Sequence, residues 1–196
     1  MSLPTFRIAV IPDAPAIVAL VNAAYRGESS RAGWTTEADL LDGVRTHDAE
    51  IIELIALRDS MILLCCDVAD LLGSVHLQRV GGNDGENTRA AAFLGMFAVK
   101  PNLQSQGIGK QLLHAAEAAV LREWGVTKML MDVISVRSEL IAFYQRRGYV
   151  LTGKQKAFPV SPELWTPKAD GLQLVRLEKS LAEPSFSSQA PRRPSP

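Results

Sequence analysis

Apolar residues recur along this chain with two spacings, and the switches between them mark out the elements. Ile17, Leu20, Val21 and Ala24 are spaced for one face of a helix. Asp13 stands before them as an N-cap, and Pro15 sits in the first turn, where its missing N–H is harmless. Ahead of this helix, Phe6-Arg7-Ile8-Ala9-Val10-Ile11 alternates weakly and predicts a first strand. Gly27 and Ser29-Ser30 end the helix. Thr36-Glu37-Ala38-Asp39 reads as a capping box that opens a short helix through Leu40, Leu41 and Val44. Thr46, with Asp48 and Glu50 after it, starts a segment carrying Ile51, Ile52, Leu54, Ile55 and Leu57. That run fits a helix and fits a strand.

Further along, Met61 to Asp67 and Leu71 to Val80 predict two strands joined at Ala69-Asp70 as a hairpin. Gly81 to Asn87 is polar and glycine-rich, so it reads as a loop. An apolar strand runs from Ala91 to Val99. A helix after Gly107 places Ile108, Leu112, Ala115 or Ala116, and Ala119 on one face, and Gly125 closes it. Met129 to Ile134 is an apolar strand, Tyr149 to Lys156 a sixth strand and Leu172 to Leu177 a seventh. Residues 183–196 are rich in Ser, Pro and Arg and predict a disordered tail. One α/β domain over residues 1–182 accounts for everything before that tail.

Composition narrows the function classes. The chain has 196 residues, 47% of them hydrophobic, enough for one domain with a sizeable core. Twenty-one basic and 21 acidic residues cancel, so no large electrostatic footprint for nucleic acid is expected. No apolar run is long enough to span a bilayer, and Met1-Ser2-Leu3-Pro4 lacks the basic and apolar regions of a signal peptide. Cys65 and Cys66 are adjacent, so on a strand they point to opposite faces and do not pair. Three scattered His and this Cys pair make no metal-ligand spacing. The compartment expected is the cytoplasm, and no metal is expected.

The richest stretch is Phe97-Ala98-Val99-Lys100-Pro101 followed by Gln104-Ser105-Gln106-Gly107-Ile108-Gly109-Lys110-Gln111. A strand runs into a turn with two glycines that opens directly into a helix. A helix N-terminus carries unpaired N–H groups and the positive end of the macrodipole, and glycines let a phosphate come close. A dinucleotide fingerprint would need a third glycine where Leu112 stands, and a P-loop would need Gly at 104 and Ser or Thr at 111. Both are ruled out by those residues. What remains, Gln104-x-x-Gly107-x-Gly109 after the strand, resembles the coenzyme A signature of the GCN5-related N-acetyltransferase (GNAT) superfamily. A second match lies downstream: Glu139-Leu140-Ile141-Ala142-Phe143-Tyr144-Gln145-Arg146-Arg147-Gly148-Tyr149 resembles that family's next helix, with its Phe-Tyr pair and Gly-aromatic ending. The resemblance spans roughly residues 5 to 180. Arg137 departs from it, standing where many relatives place Asn.

The resemblance implies a mixed, mainly antiparallel sheet of about seven strands with helices on both faces and splayed central strands. It implies acetyl-CoA as co-substrate and acetyl transfer to an amine by direct attack. The alternative is a module that binds acyl-CoA without turnover. Backbone groups of Phe97, Ala98 and Val99 would meet the pantetheine. Gln104, Ser105, Gln106, Gly107, Ile108, Gly109 and Lys110 would seat the diphosphate, with Arg137 as a further contact. Tyr144 would protonate the leaving thiolate. Asp132, a carboxylate in an apolar strand, resembles a base in one branch of the family and is equally a structural carboxylate; His76 is its rival. Tyr25, Arg26, Glu28 and Trp34 lie in the region where relatives bind the acceptor, a small-molecule or peptide amine. Arg26 and Arg31 would suit an acidic acceptor and Glu28 a cationic one, which leaves the acceptor open. A homodimer is compatible with the resemblance.

Overall fold

Both hydrophobic spacings become packed faces in the computed structural model, which describes residues 4–68, 70–81, 90–159 and 161–181. The strands are β1 (Thr5–Ile8), β2 (Leu41–Gly43), β3 (Ser60–Asp67), β4 (Asp70–Val80), β5 (Ala91–Val99), β6 (Lys128–Ile134), β7 (Val150–Ala157), β8 (Trp165–Pro167) and β9 (Gln173–Ser180). The α-helices are α1 (Ala14–Tyr25), α2 (Gly27–Ser30), α3 (Asp48–Ala56), α4 (Ile108–Trp124) and α5 (Ser138–Gln145). The main sheet has the order β1-β3-β4-β5-β6-β9-β7. Its neighbours are antiparallel except β5 and β6, which run parallel. This is a mixed, mainly antiparallel seven-stranded sheet with helices on both faces.

On one face α4 buries Ile108, Leu112, Leu113, Ala116, Ala119 and Val120 against Leu63, Val75, Leu77, Leu94 and Met131. Each fully buried leucine contributes about 1.5–3 kcal/mol, so this stripe anchors the helix whose N-terminus forms part of the site. Gly125, at φ 61°, ends α4, and its N–H bonds Leu121 O at 3.0 Å. On the other face α1 and α3 lay Ile17, Leu20, Val21, Ala24 and Ile51 over Ile62, Leu64, Met96 and Ala98.

The feature that shapes the site is a bulge in β5. Ser74 pairs with Ala98 and His76 with Gly95, so Met96 and Phe97 together oppose Val75. Met96 takes φ 43°, a left-handed conformation that costs a non-glycine residue about 1–3 kcal/mol. β5 pairs with β6 only from Ala92 to Leu94; beyond that the two strands part.

Several expectations need correction. Residues 36–44 form no helix. Thr36 Oγ1 accepts from Ala38 N at 3.1 Å and meets Ser30 Oγ at 2.6 Å, while the Glu37 carboxylate is drawn inward by two arginines. Leu41–Gly43 becomes β2, paired with β8 in a small second sheet. The first strand stops at Ile8, and Ile11–Asp13 is a 3₁₀ turn. Asp13 caps backwards, accepting from Val10 N at 2.8 Å and pairing with Arg7, rather than bonding into α1. The segment after Thr46 is a helix, capped by His47, whose Nδ1 accepts from Glu50 N at 3.1 Å. Cys65 is buried, Cys66 half-buried, and both are free. The expected tail at 183–196, most of the polar loop and Ala69 of the hairpin turn lie outside the described residues.

Candidate active site

Two clefts meet where β5 leaves β6. The larger, about 570 Å³, lies between the end of β5, the N-terminus of α4 and α5. Phe97 and Val99 line it, with Phe143 opposite; Gly107 and Gly109 face it at the start of α4. Gly107 is the N-cap of α4 at φ 87°, preceded by Ser105 at φ 64°. The first bond within the helix runs from Gln111 N to Gly107 O, so the N–H groups of Ile108, Gly109 and Lys110 have no helix partner. Gly109 keeps the cleft open: a Cβ there would stand 3.7 Å from Phe97 and Val99 and 3.9 Å from Phe143. Lys110, Arg146 and Arg147 bring three cations to the same cleft, and Arg147 stacks over the Phe143 ring at 3.4 Å. The basic turn Arg146-Arg147 was visible within the second motif, though it was not among the expected contacts.

The cofactor residues expected from the sequence divide. Phe97, Val99, Gln104, Ser105, Gly107, Gly109 and Lys110 line the cleft. Ala98 is buried toward α1, and Ile108 sits in the core, so its side chain faces away. Gln106 Nε2 donates to Asn102 O at 3.2 Å on the surface. Gln104 acts as a tie. Its Oε1 accepts from Trp34 N (2.9 Å) and Thr35 N (3.3 Å), and its Nε2 donates to Thr35 Oγ1 (2.8 Å) and Val99 O (3.1 Å). Arg137 is turned elsewhere: its side chain is largely covered and pairs with Glu37 at 3.1 Å.

The smaller cleft, about 270 Å³, opens between the splayed strands and the β2–β8 sheet, and Phe97 is its common wall with the first. Of the residues singled out in the sequence, Tyr25, Arg26, Asp132 and Tyr144 line it. The Tyr25 hydroxyl donates to Phe97 O at 2.8 Å. Burial, then the charge of Glu37, pushes Tyr25 up to about 12. Tyr144 packs edge-on against Phe97, Phe143 and Tyr149, and its hydroxyl bonds no described residue. Burial and then Tyr25 push its pKa well above the phenol range, so it stays protonated.

Other expectations are displaced. Trp34 stands in the first cleft, its ring tilted against that of Phe143 at 5.6 Å, because Gln104 holds its backbone there. Glu28 is outside both clefts, largely exposed and paired with Arg31, which also binds Asp39. Asp132 is clasped by Arg176 (2.8 and 3.0 Å) and Lys156 (2.7 Å). Burial raises its pKa, but the hydrogen bonds and charges of Arg176 and Lys156 outweigh that and hold the carboxyl below its ordinary value. His76 does not line the cleft; Ser60 Oγ meets its Nε2 at 3.0 Å, and burial with nearby Arg45 lowers it to about 4.

Glu37, Arg45, Phe93, Lys156, Phe158 and Trp165 also line the second cleft and were not foreseen. Glu37 bridges Arg26 (2.6 Å), which is buried, and Arg137 (3.1 Å), with little of the Glu37 and Arg137 side chains exposed. In the sequence it looked like the second residue of a capping box. The aromatic pair Phe158 and Trp165 left a trace, lying among Pro159, Pro162 and Pro167 between two strands.

Among the described residues no group of His, Cys, Asp and Glu is placed to hold a metal, and no helix is long and apolar enough to cross a membrane. A family profile described as Acetyltransferase (GNAT) domain matches residues 58–151, from just before β3 to the start of β7. An S-alkylcysteine N-acetyltransferase of Bacillus subtilis (strain 168) is 27% identical over 163 residues, covering 80% of this chain and 84% of its own. The fold matches yncA from Salmonella typhimurium, solved with its cofactor acetyl-CoA, with a TM-score of 0.64 at 18% identity, over 96% of this chain and 100% of that one. It also matches an N-acetyltransferase from Staphylococcus aureus Mu50, with a TM-score of 0.65 at 13% identity, over 91% and 98%. With the bulged β5, the glycine turn at the head of α4 and the Phe-Tyr helix in their family order, this chain belongs to the GCN5-related N-acetyltransferase superfamily of acetyl-CoA-dependent acyltransferases.

Proposed function

We propose that the chain transfers an acetyl group from acetyl-CoA to the amine of a small molecule, by direct attack while both substrates are bound. The observation that carries this reading is the meeting of a cationic, helix-headed cleft and a second, aromatic-lined cleft at Phe97, beside Tyr144. The residues of the first cleft fit acetyl-CoA. The N–H groups of Ile108, Gly109 and Lys110, with Lys110, Arg146 and Arg147, suit phosphates, and the Phe97, Val99 and Phe143 floor suits the pantetheine arm. Acetyl-CoA supplies the thioester; this chain's residues supply orientation and proton handling.

In the transfer the amine nitrogen bonds the acetyl carbon, the carbon–sulfur bond breaks, nitrogen loses one proton and sulfur gains one. Tyr144 serves the sulfur. As a phenol it is protonated at neutral pH and donates a hydrogen bond to the sulfur. Burial makes it a weaker acid than a free phenol, so its proton passes only as negative charge develops on sulfur, whose thiol pKa is roughly 8.5 by analogy with cysteine, and solvent replaces it. For the nitrogen, the lowered pKa and two cation partners of Asp132, and the Ser60 contact of His76, weigh against either as base. Glu37 is likewise held by two arginines. We assign deprotonation to solvent in the open cleft, helped by the surrounding arginines and lysine, which disfavour a bound ammonium.

The test is thiol release from acetyl-CoA across amino acids, polyamines, aminoglycosides and peptides, with thermal shifts alongside. Acetyl-CoA at a hundredfold its Kd should add about 2.7 kcal/mol, whereas NAD and ATP should add none. No shift with CoA at millimolar concentration would refute the reading.

A further inference from the structure

The second cleft has a charge pattern that selects among amines. Arg26, Arg45 and Lys156 line it, and Arg137 and Arg176 hold its two carboxylates, Glu37 and Asp132, from behind. Five cations therefore surround it against two anions among the described residues. A polyamine would enter against repulsion, while an acceptor with a carboxylate of its own would be drawn in.

One of these cations is unspent. Arg26 is paired with Glu37, and Lys156 with Asp132. Among the described residues Arg45 is the cation lining this cleft that has no carboxylate partner. Its guanidinium lies over the Trp165 ring, at 5.9 Å. Its backbone is fixed: Arg45 N and Thr46 N both donate to Asn22 Oδ1 (2.7 and 3.3 Å), and Asn22 Nδ2 donates to Thr46 O (3.0 Å). A half-buried arginine on a pinned loop, aimed into a cleft, is a preorganised anion site. Around it the walls are apolar. Phe93, Leu174 and the Phe158–Trp165 pair, 6.3 Å apart with the Trp165 indole donating to Pro159 O, form a pocket with no spare charge.

We infer that the acceptor is an α-amino acid with an apolar side chain: Arg45 holds its carboxylate, Phe93, Phe158 and Trp165 enclose its side chain, and its amine points toward Phe97 and Tyr144. This rests on the acetyl-transfer reading of the same site. It separates two substrates named among similar proteins, an S-alkylcysteine for a curated relative and spermidine for a protein of shared fold, in favour of the first type.

The experiment compares acetylation of leucine, phenylalanine and S-methylcysteine with that of their carboxamides and of spermidine, in the wild type, Arg45→Met and Arg45→Lys. Acetyl-CoA binding is followed by thermal shift in each protein. The amides keep the amine and the side chain and lack only the carboxylate. In the wild type, kcat/KM for the acids should exceed that for the amides by about 10- to 150-fold, the range for a hydrogen-bonded charge. Arg45→Met should collapse that ratio toward one, Arg45→Lys should restore part of it, and both variants should bind acetyl-CoA as the wild type does. Amides acetylated as well as acids, a preference for spermidine, no acid acetylated although acetyl-CoA binds, or an acid-to-amide ratio untouched by Arg45→Met would each overturn the inference. In all four cases acetyl-CoA binding leaves the acetyl-transfer reading standing. Absence of that binding in the wild type would remove both.

Discussion

Replacing Gln104 with leucine tests whether this residue of the glycine-rich motif holds the fold of the site or touches the ligand. Leucine keeps the approximate volume and removes four hydrogen bonds, those to Trp34 N, Thr35 N, Thr35 Oγ1 and Val99 O. A neutral bond contributes about 1 kcal/mol net, and the open cleft lets water recover part of the loss, so the cost should be about 2–4 kcal/mol. For a chain of this size that is roughly 4–16 °C in Tm. Acetyl-CoA affinity should fall as well, because Trp34 and the Phe143 ring it packs against wall the same cleft. Gly33→Ala is the companion. Its Cβ would stand 2.6 Å from Gln104 Oε1, and the amide cannot swing aside without giving up the four bonds. The two changes act on one contact, so combined they should cost clearly less than their sum. The assay is urea denaturation with an acetyl-CoA titration of each variant. Stability within about 0.5 kcal/mol of wild type, with affinity lost, would make Gln104 a direct phosphate ligand and refute the tie.

Three further outcomes are expected. Tyr144→Phe should keep acetyl-CoA binding and lower kcat by about 10²- to 10⁴-fold, measured by thiol release; unchanged turnover would assign Tyr144 to packing. His76 has an ordinary pKa of 6.5 and a folded value of about 4, so between these the unfolded chain holds a proton that the folded chain does not. Its contribution is full above pH 6.5 and is lost as pH falls toward 4, in total about 3 kcal/mol, and His76→Gln should flatten that part of the stability curve. Gly43→Ala should destabilise by about 2–5 kcal/mol in denaturation, since φ is 95° and a Cβ would meet Leu164 O at 2.1 Å, backbone that cannot yield.

Sequence reasoning went furthest where the physics is local. The spacing of Ile17, Leu20, Val21 and Ala24 predicted α1, and that of Ile108, Leu112 and Ala119 predicted α4, because helical periodicity and burial follow one pattern. It failed at 36–44, where a plausible capping box was overruled by partners far along the chain. Arg137 lies a hundred residues from Glu37, and β8 lies well over a hundred residues from β2. Asp132 shows the same limit. Its odd position in an apolar strand was legible, but whether it served as base or brace depended on Arg176 across β9 and Lys156 beyond it.

The sequence by itself determined the kind of protein: alternation and helical spacing specified one α/β domain, and Gln104-x-x-Gly107-x-Gly109 with Phe143-Tyr144 carried the resemblance to the family, which implied the mixed sheet. These signals lie within single elements and turns, so they survive being read in one dimension. Only the tertiary structure decided which side chains share a cleft. It moved Trp34 to the cofactor side through the Gln104 tie, turned Arg137 inward onto Glu37, and left Arg45 over Trp165 without a carboxylate partner among the described residues. Such pairings depend on which elements the sheet order and the β5 bulge bring together, and charges find partners by distance in space rather than by position along the chain.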